Sequence, residues 1–204
     1  MGATSSAPSW LAAIEARAPN TVAAWNALGN SFAGVRGLRR VLRERVTDGD
    51  APRILAEQEV LAEALAEALT AVPDAALGEP GGEEDWNVAQ TFAHATAARR
   101  FLPTWAAMDA AGNWPADDPP RVRPSIPGGP AATREELLVL LGKSRRSQER
   151  AAEQVAGHET KPCALDHPLV GRLRCGDWLL FAGVHDLMHL EQLHRIADQH
   201  RGAT

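Results

Sequence analysis

The chain has 204 residues, 45% hydrophobic and 23% charged, with 26 acidic against 21 basic side chains and a net charge of −5. That length suits one well-packed domain and excludes a large multidomain enzyme. The acidic balance argues against nucleic acid as a partner, because phosphate binding leans on a basic face, and no apolar run approaches the roughly 18 residues of a membrane span.

The first 49 residues read as a helical extension. A short helix over residues 9–17 precedes a longer one that places Val22, Trp25, Leu28, Phe32, Val35, Leu38 and Leu42 on one stripe. Gly29, Gly34 and Gly37 weaken that second helix, so tertiary contacts have to support it.

Residues 50–204 read as four long helices. The first starts at Asp50, an N-cap residue with Pro52 in the opening turn, and ends near Val72 before Pro73. Its inward face carries Ile54, Gln58, Leu61, Leu65 and Leu69, so Gln58 is a polar residue inside an apolar stripe. The second starts at Asn87, with Gln90 at capping-box spacing, and runs to about Ala111 with Pro103 inside it. The third starts at Thr133, with Glu136 at the same spacing, and runs to about Gly157. The fourth covers residues 177–200.

Two long links separate these helices. Residues 112–132 hold six prolines and cannot be helical, yet they are long enough to cross a bundle; residues 158–175 form a second link. The expected fold is therefore all-α, a four-helix bundle with crossover connections rather than simple up-and-down ones.

The start of the chain lacks the basic region and apolar core of a secretory signal. Cys163 and Cys175 form no CxxC motif and read as two free thiols in a reducing cytoplasm. Arginine outnumbers lysine 19 to 2, which fits a GC-rich, bacterial genome.

Histidine carries the functional signal. His185 and His189 lie four apart in the fourth helix and share a face with Trp178, Phe181, Met188, Gln192 and Ile196. Two imidazoles on an apolar face need partners for their nitrogens. A divalent metal supplies them; so would other side chains or water. His94 sits on an equally apolar face of the second helix, with Asn87, Gln90, Thr91, Ala98, Phe101 and Trp105, and three inward histidines are most simply explained together. His158, His167 and His200 read as surface residues, with His167 a candidate for the mouth of the site; His194 points away from the pair. No carboxylate falls clearly on the pocket face, and Asp186 reads as a surface or helix-packing residue.

The run Asp85-Trp86-Asn87-Val88-Ala89-Gln90-Thr91-Phe92-Ala93-His94 resembles a Trp-Ser-x-x-Glu motif leading to a histidine. The segments His167-Pro168-Leu169-Val170-Gly171, Asp177-Trp178-Leu179 and His185-Asp186-Leu187-Met188-His189-Leu190-Glu191-Gln192 resemble the C-terminal motif of the same group, the DinB-like superfamily. The resemblance covers roughly residues 50–200. It implies a four-helix bundle with a three-histidine site for a divalent metal, here His94, His185 and His189, and many members are dimers. Characterised members of the family that the chain resembles include thiol-dependent S-transferases and isomerases that use mycothiol or bacillithiol. With the three inward histidines, the expected function is a metal-dependent transferase or hydrolase acting on a small molecule, with a low-molecular-weight thiol as candidate cosubstrate. Asn87 and Gln90 stand where Ser and Glu are commoner in the family.

Three imidazoles would leave an ion an open coordination position, as in catalytic rather than structural sites. Zinc is the expected metal, with nickel, iron and manganese compatible with the same ligands. Gln192, Gln58, Asn87 and Thr91 are the polar groups expected to contact ligands or substrate. The other readings are a metal-binding stress protein without turnover and a helical interaction module with structural histidines. Leu179, Leu180, Leu187 and Leu190 on the far side of the fourth helix require a cover, either the N-terminal helices or a second copy in a homodimer.

Overall fold

Capping boxes set where two of the four bundle helices begin. In the computed structural model, which describes residues 8–29, 32–80, 86–123, 126–129 and 132–201, seven helices form: α1 (Ser9–Glu15), α2 (Pro19–Leu28), α3 (Phe32–Arg45), α4 (Ala51–Ala71), α5 (Val88–Ala110), α6 (Arg134–Val155) and α7 (Cys175–Arg201). The first seven residues, Asp85 and the side chains of Phe32 and His200 lie outside the described residues. No strand forms among the described residues, and no helix is long and apolar enough to cross a membrane.

Both expected capping boxes are present. Asn87 accepts the Gln90 amide at 2.8 Å while Gln90 Oε1 accepts the Asn87 amide at 3.1 Å, and Thr133 and Glu136 do the same for α6. At α4 the structure corrects the expectation. Asp50 holds the N-cap position, but its carboxylate accepts from Thr47 and Arg53 instead of capping the helix. The Ala51 amide is accepted by Glu159 Oε1 at 2.9 Å, a residue brought in by the second crossover link. Pro103 is absorbed within α5.

The expected long N-terminal helix is two helices. Gly29 has φ +48°, a left-handed conformation that ends α2, and α3 folds back against it. Gly34 makes that return so close that a Cβ there would overlap the Leu28 carbonyl oxygen, 1.4 Å away.

The bundle order follows from the pairings. α4 packs on α6, α6 on α5, α5 on α7, and α7 on α4, so the consecutive pairs α4/α5 and α6/α7 sit on diagonals. α5 and α6 start together at a cleft lined by Ala89 and Thr133 and finish together where Lys161, just past α6, bonds the Asp109 carbonyl. They run parallel, as a long crossover permits, and α7 runs antiparallel to both.

The core has two apolar clusters. One gathers Leu61, Leu65, Phe92, Leu137 and Leu187; the other gathers Ile54, Leu102, Val155, Trp178 and Leu180. Between them every bundle helix contributes a buried polar residue: Gln58, Arg99, Ser144 with Gln148, and Asp186. The N-terminal helices cover the far side of α7. Leu11, Ile14 and Val22 join Leu187 and Leu190 in the first cluster, while Leu28, Leu38 and Leu42 join Leu179 and Leu180 in the second.

Close approach of α2 and α4 to α7 depends on Gly183. A Cβ there would lie 2.6 Å from Gln58 Nε2 and 2.8 Å from Thr21 Cγ2, both buried side chains. Gly183→Ala is expected to destabilise the fold by about 1–3 kcal/mol through overpacking. The readout is a lower urea midpoint with an unchanged slope.

Candidate metal centre

α5 and α7 bring three imidazoles together. The ring centroids are 4.6 Å apart for His185 and His189, 5.3 Å for His94 and His185, and 5.2 Å for His94 and His189. One ring nitrogen from each residue lies within 4.8 Å of the others, so the three can hold a metal ion. His189 is 5% exposed, and His94 and His185 are half-buried, so the cluster has a buried side and an accessible side.

Hydrogen bonds set the ring tautomers. His94 Nδ1 lies 2.8 Å from the Ile126 carbonyl oxygen, which can only accept, so Nδ1 carries the proton and Nε2 keeps a lone pair. His189 Nδ1 lies 2.8 Å from Gln192 Oε1 in the same sense. His189 Nε2 and His185 Nδ1 are buried without any partner. Orphaned nitrogens within a cluster of three histidines are what a cation would satisfy, and such outer hydrogen bonds are how ligating histidines are usually oriented.

Two of the rings, His185 and His189, are also held neutral. Burial pushes His185 well below the ordinary histidine range, with the neighbouring His189 and His94 adding to the effect. Burial brings His189 down to about 4, against the opposing Gln192 hydrogen bond. Both therefore offer lone pairs at neutral pH.

Of the polar residues expected near the site, Gln192 reaches a ligand, His189. Asn87 and Thr91 bond within the first turn of α5, where Thr91 Oγ1 donates to the Asn87 carbonyl at 3.0 Å. Gln58 donates to the Leu179 carbonyl at 3.2 Å and accepts from Gln148 at 3.3 Å, in the buried polar layer instead of at the histidines. His167 is half-buried against Phe181 and Trp178, at ring distances of 5.7 and 6.2 Å, so it is not a plain surface residue. Its Nδ1 accepts the Leu169 amide at 3.0 Å. His158 is exposed, and His194 stacks on Trp10 at 4.8 Å. Clefts of about 990 and 310 Å³ lie elsewhere on the surface, lined by none of the three ligating candidates.

Sequence reasoning missed two features. The Ile126 carbonyl was out of reach because a backbone group in a proline-rich link has no signature. Asp186 is fully buried, which corrects its reading as a possible surface residue; its Oδ2 accepts from Arg99 Nη1, and both side chains are 0% exposed. Burial pushes the Asp186 carboxyl upward and the adjacent guanidinium pulls it back. Here a signal existed: Asp186 shares its stripe with Leu179, Gly183, Leu190 and Leu193, and Arg99 shares its own with Ala95, Leu102 and Ala106. Opposite charges, each isolated on an apolar stripe, suggest a buried pair.

The depressed histidines make stability fall in acid. Unfolded histidine takes up a proton near 6.5, whereas His189 in the fold resists until about 4. Stability present above pH 6.5 is lost as the pH drops toward 4, by roughly 3 kcal/mol for His189 alone. Urea denaturation of metal-free protein at pH 7.5, 6 and 5 is expected to show this decline, and His189→Gln is expected to flatten it.

Comparison with curated proteins and with solved structures gives no match. A family model described as the DinB superfamily matches residues 6–193, so the match takes in α1–α3 as well as the bundle. With an all-helical fold and three histidines converging from α5 and α7, the chain belongs to the DinB superfamily.

Proposed function

We propose that the protein is a metal-dependent enzyme, a transferase or hydrolase acting on a small molecule, with zinc at His94, His185 and His189. The observation that carries this reading is the pair of buried, unpartnered nitrogens, His185 Nδ1 and His189 Nε2, on two rings of a three-histidine cluster. A zinc ion held by three imidazoles keeps a coordination position for a small molecule and lowers the pKa of a water or thiol placed there. All-nitrogen ligands also accept nickel or iron.

The chain's own residues prepare the site. Ile126 O and Gln192 fix the His94 and His189 rings in the tautomers that leave Nε2 free. Trp86 is buried, with its ring edge-on to His94 at 5.1 Å, and shields that side from water. The half-exposed edges of His94 and His185 leave an approach for substrate. A low-molecular-weight thiol is the proposed cosubstrate, since it would bring its own nucleophile.

A second reading, a metal-binding protein without turnover, is favoured by one observation. No Asp or Glu joins the histidine cluster among the described residues, and the neighbouring Asp186 is committed to Arg99. The site therefore offers no carboxylate as a general base.

Elemental analysis of protein purified without a histidine tag is expected to find one divalent metal per chain. His94→Ala, His185→Ala and His189→Ala are each expected to abolish stoichiometric binding while retaining the helical circular dichroism spectrum. Metal at wild-type level in all three variants contradicts the ligand assignment. Turnover of electrophilic substrates with a thiol in the metal-loaded protein separates the enzyme from the silent metal-binder.

A further inference from the structure

α5 and α7 pack against each other through faces that are mostly apolar. α5 buries Ala95, Leu102 and Ala106, and α7 buries Ala182, Leu193 and Ile196. Apolar packing is non-directional and tolerates sliding, so by itself it sets axial register loosely. Yet the ligand set demands register. A slip of one residue moves a helix by 1.5 Å and turns its side chains by about 100°, which would carry His185 and His189 away from His94.

The buried polar layer supplies directional bonds. Arg99 lies five residues after His94 on α5, and Asp186 directly follows His185 on α7. Arg99 Nη1 donates to Asp186 Oδ2. Its Nη2 donates to the Gln58 carbonyl at 3.1 Å and to Gln148 Oε1 at 2.6 Å, and its Nε to Ser144 Oγ at 3.3 Å. One side chain thus ties α5 to α4, α6 and α7. With both charged groups 0% exposed, a slipped register would leave them unpaired away from water, a far larger penalty than a shifted apolar contact.

We propose that Arg99 and Asp186 are positioning residues that set the register of α7 on α5 and thereby align His185 and His189 with His94. Buried ion pairs often add little net stability, and apolar replacements of similar volume can be neutral or stabilising. The role assigned here is alignment, and it can be separated from stability. The use made of that alignment rests on the metal-site reading above; the alignment itself does not.

The test uses Asp186→Asn and the double variant Arg99→Met with Asp186→Leu, each checked for helical circular dichroism and cooperative unfolding. In metal-free wild-type protein, nuclear Overhauser contacts are expected from the His94 ring to the rings of His185 and His189, and between His185 and His189. In the variants the contacts between His185 and His189, fixed by the helix, are expected to persist, while those to His94 weaken or vanish. Zinc affinity, read by competition with a chromophoric chelator, is expected to fall about 10–100-fold. The cobalt(II) absorption spectrum is expected to change shape. Folded variants with wild-type contacts to His94 overturn the proposal, whatever their stability. If the double variant does not fold, Asp186→Asn decides, since it removes the charge that holds the guanidinium with almost no change in side-chain volume. If wild-type protein binds no zinc, the metal reading fails, and the contacts in metal-free protein still decide the positioning role.

Discussion

The structure depends on one buried charge and its partners. Arg99 sits where the two apolar clusters of the bundle meet, and its guanidinium contacts all three other bundle helices. Hydrophobic burial supplies most of the drive to fold, but it is non-directional and tolerates sliding. A fully buried guanidinium with an acid, an amide oxygen, a hydroxyl and a carbonyl around it tolerates little. Directional bonds at mid-height are therefore the constraint that gives an alanine-rich bundle a definite arrangement. The three histidines lie within a few residues of that layer.

The links between helices contribute as much to the site as the helices do. The proline-rich crossover carries Ile126, whose carbonyl bonds His94, and Gly128, whose amide donates to the Gln90 carbonyl at 3.2 Å. Gly128 has to be glycine at this approach, since a Cβ would fall 2.2 Å from that of Ala93. The second crossover brings Glu159 to the start of α4 and its backbone carbonyl to the Gly176 amide in the opening turn of α7. It also packs His167 against Phe181, one turn before His185. Backbone that looks like mere connection thus orients a ligand and anchors both α4 and α7.

Much of this was legible in the sequence, for physical reasons. Helix period, capping pairs and the proline run place α4 to α7 within a few residues, because each acts locally. The three histidines were legible because a polar ring on an apolar stripe has to be satisfied. The break at Gly29 was not, since glycine within a helical stripe reads as weakness and the left-handed turn that it takes is a tertiary outcome. Glu159 at the start of α4 and Ile126 beside His94 are long-range contacts that leave no local pattern. Gln58 was correctly read as an inward polar residue, but its contacts lie in the Arg99 layer; inward placement fixes depth and not height along the helix.

The central claim is that His94, His185 and His189 form one metal site. X-ray absorption on protein loaded with one zinc per chain tests it most directly, because ligand type and number are read from the metal itself. The account predicts three imidazole nitrogens at about 2.0–2.1 Å and no sulfur in the coordination shell. Sulfur scattering near 2.3 Å, which would implicate Cys163 or Cys175, or fewer than three imidazoles, would contradict it.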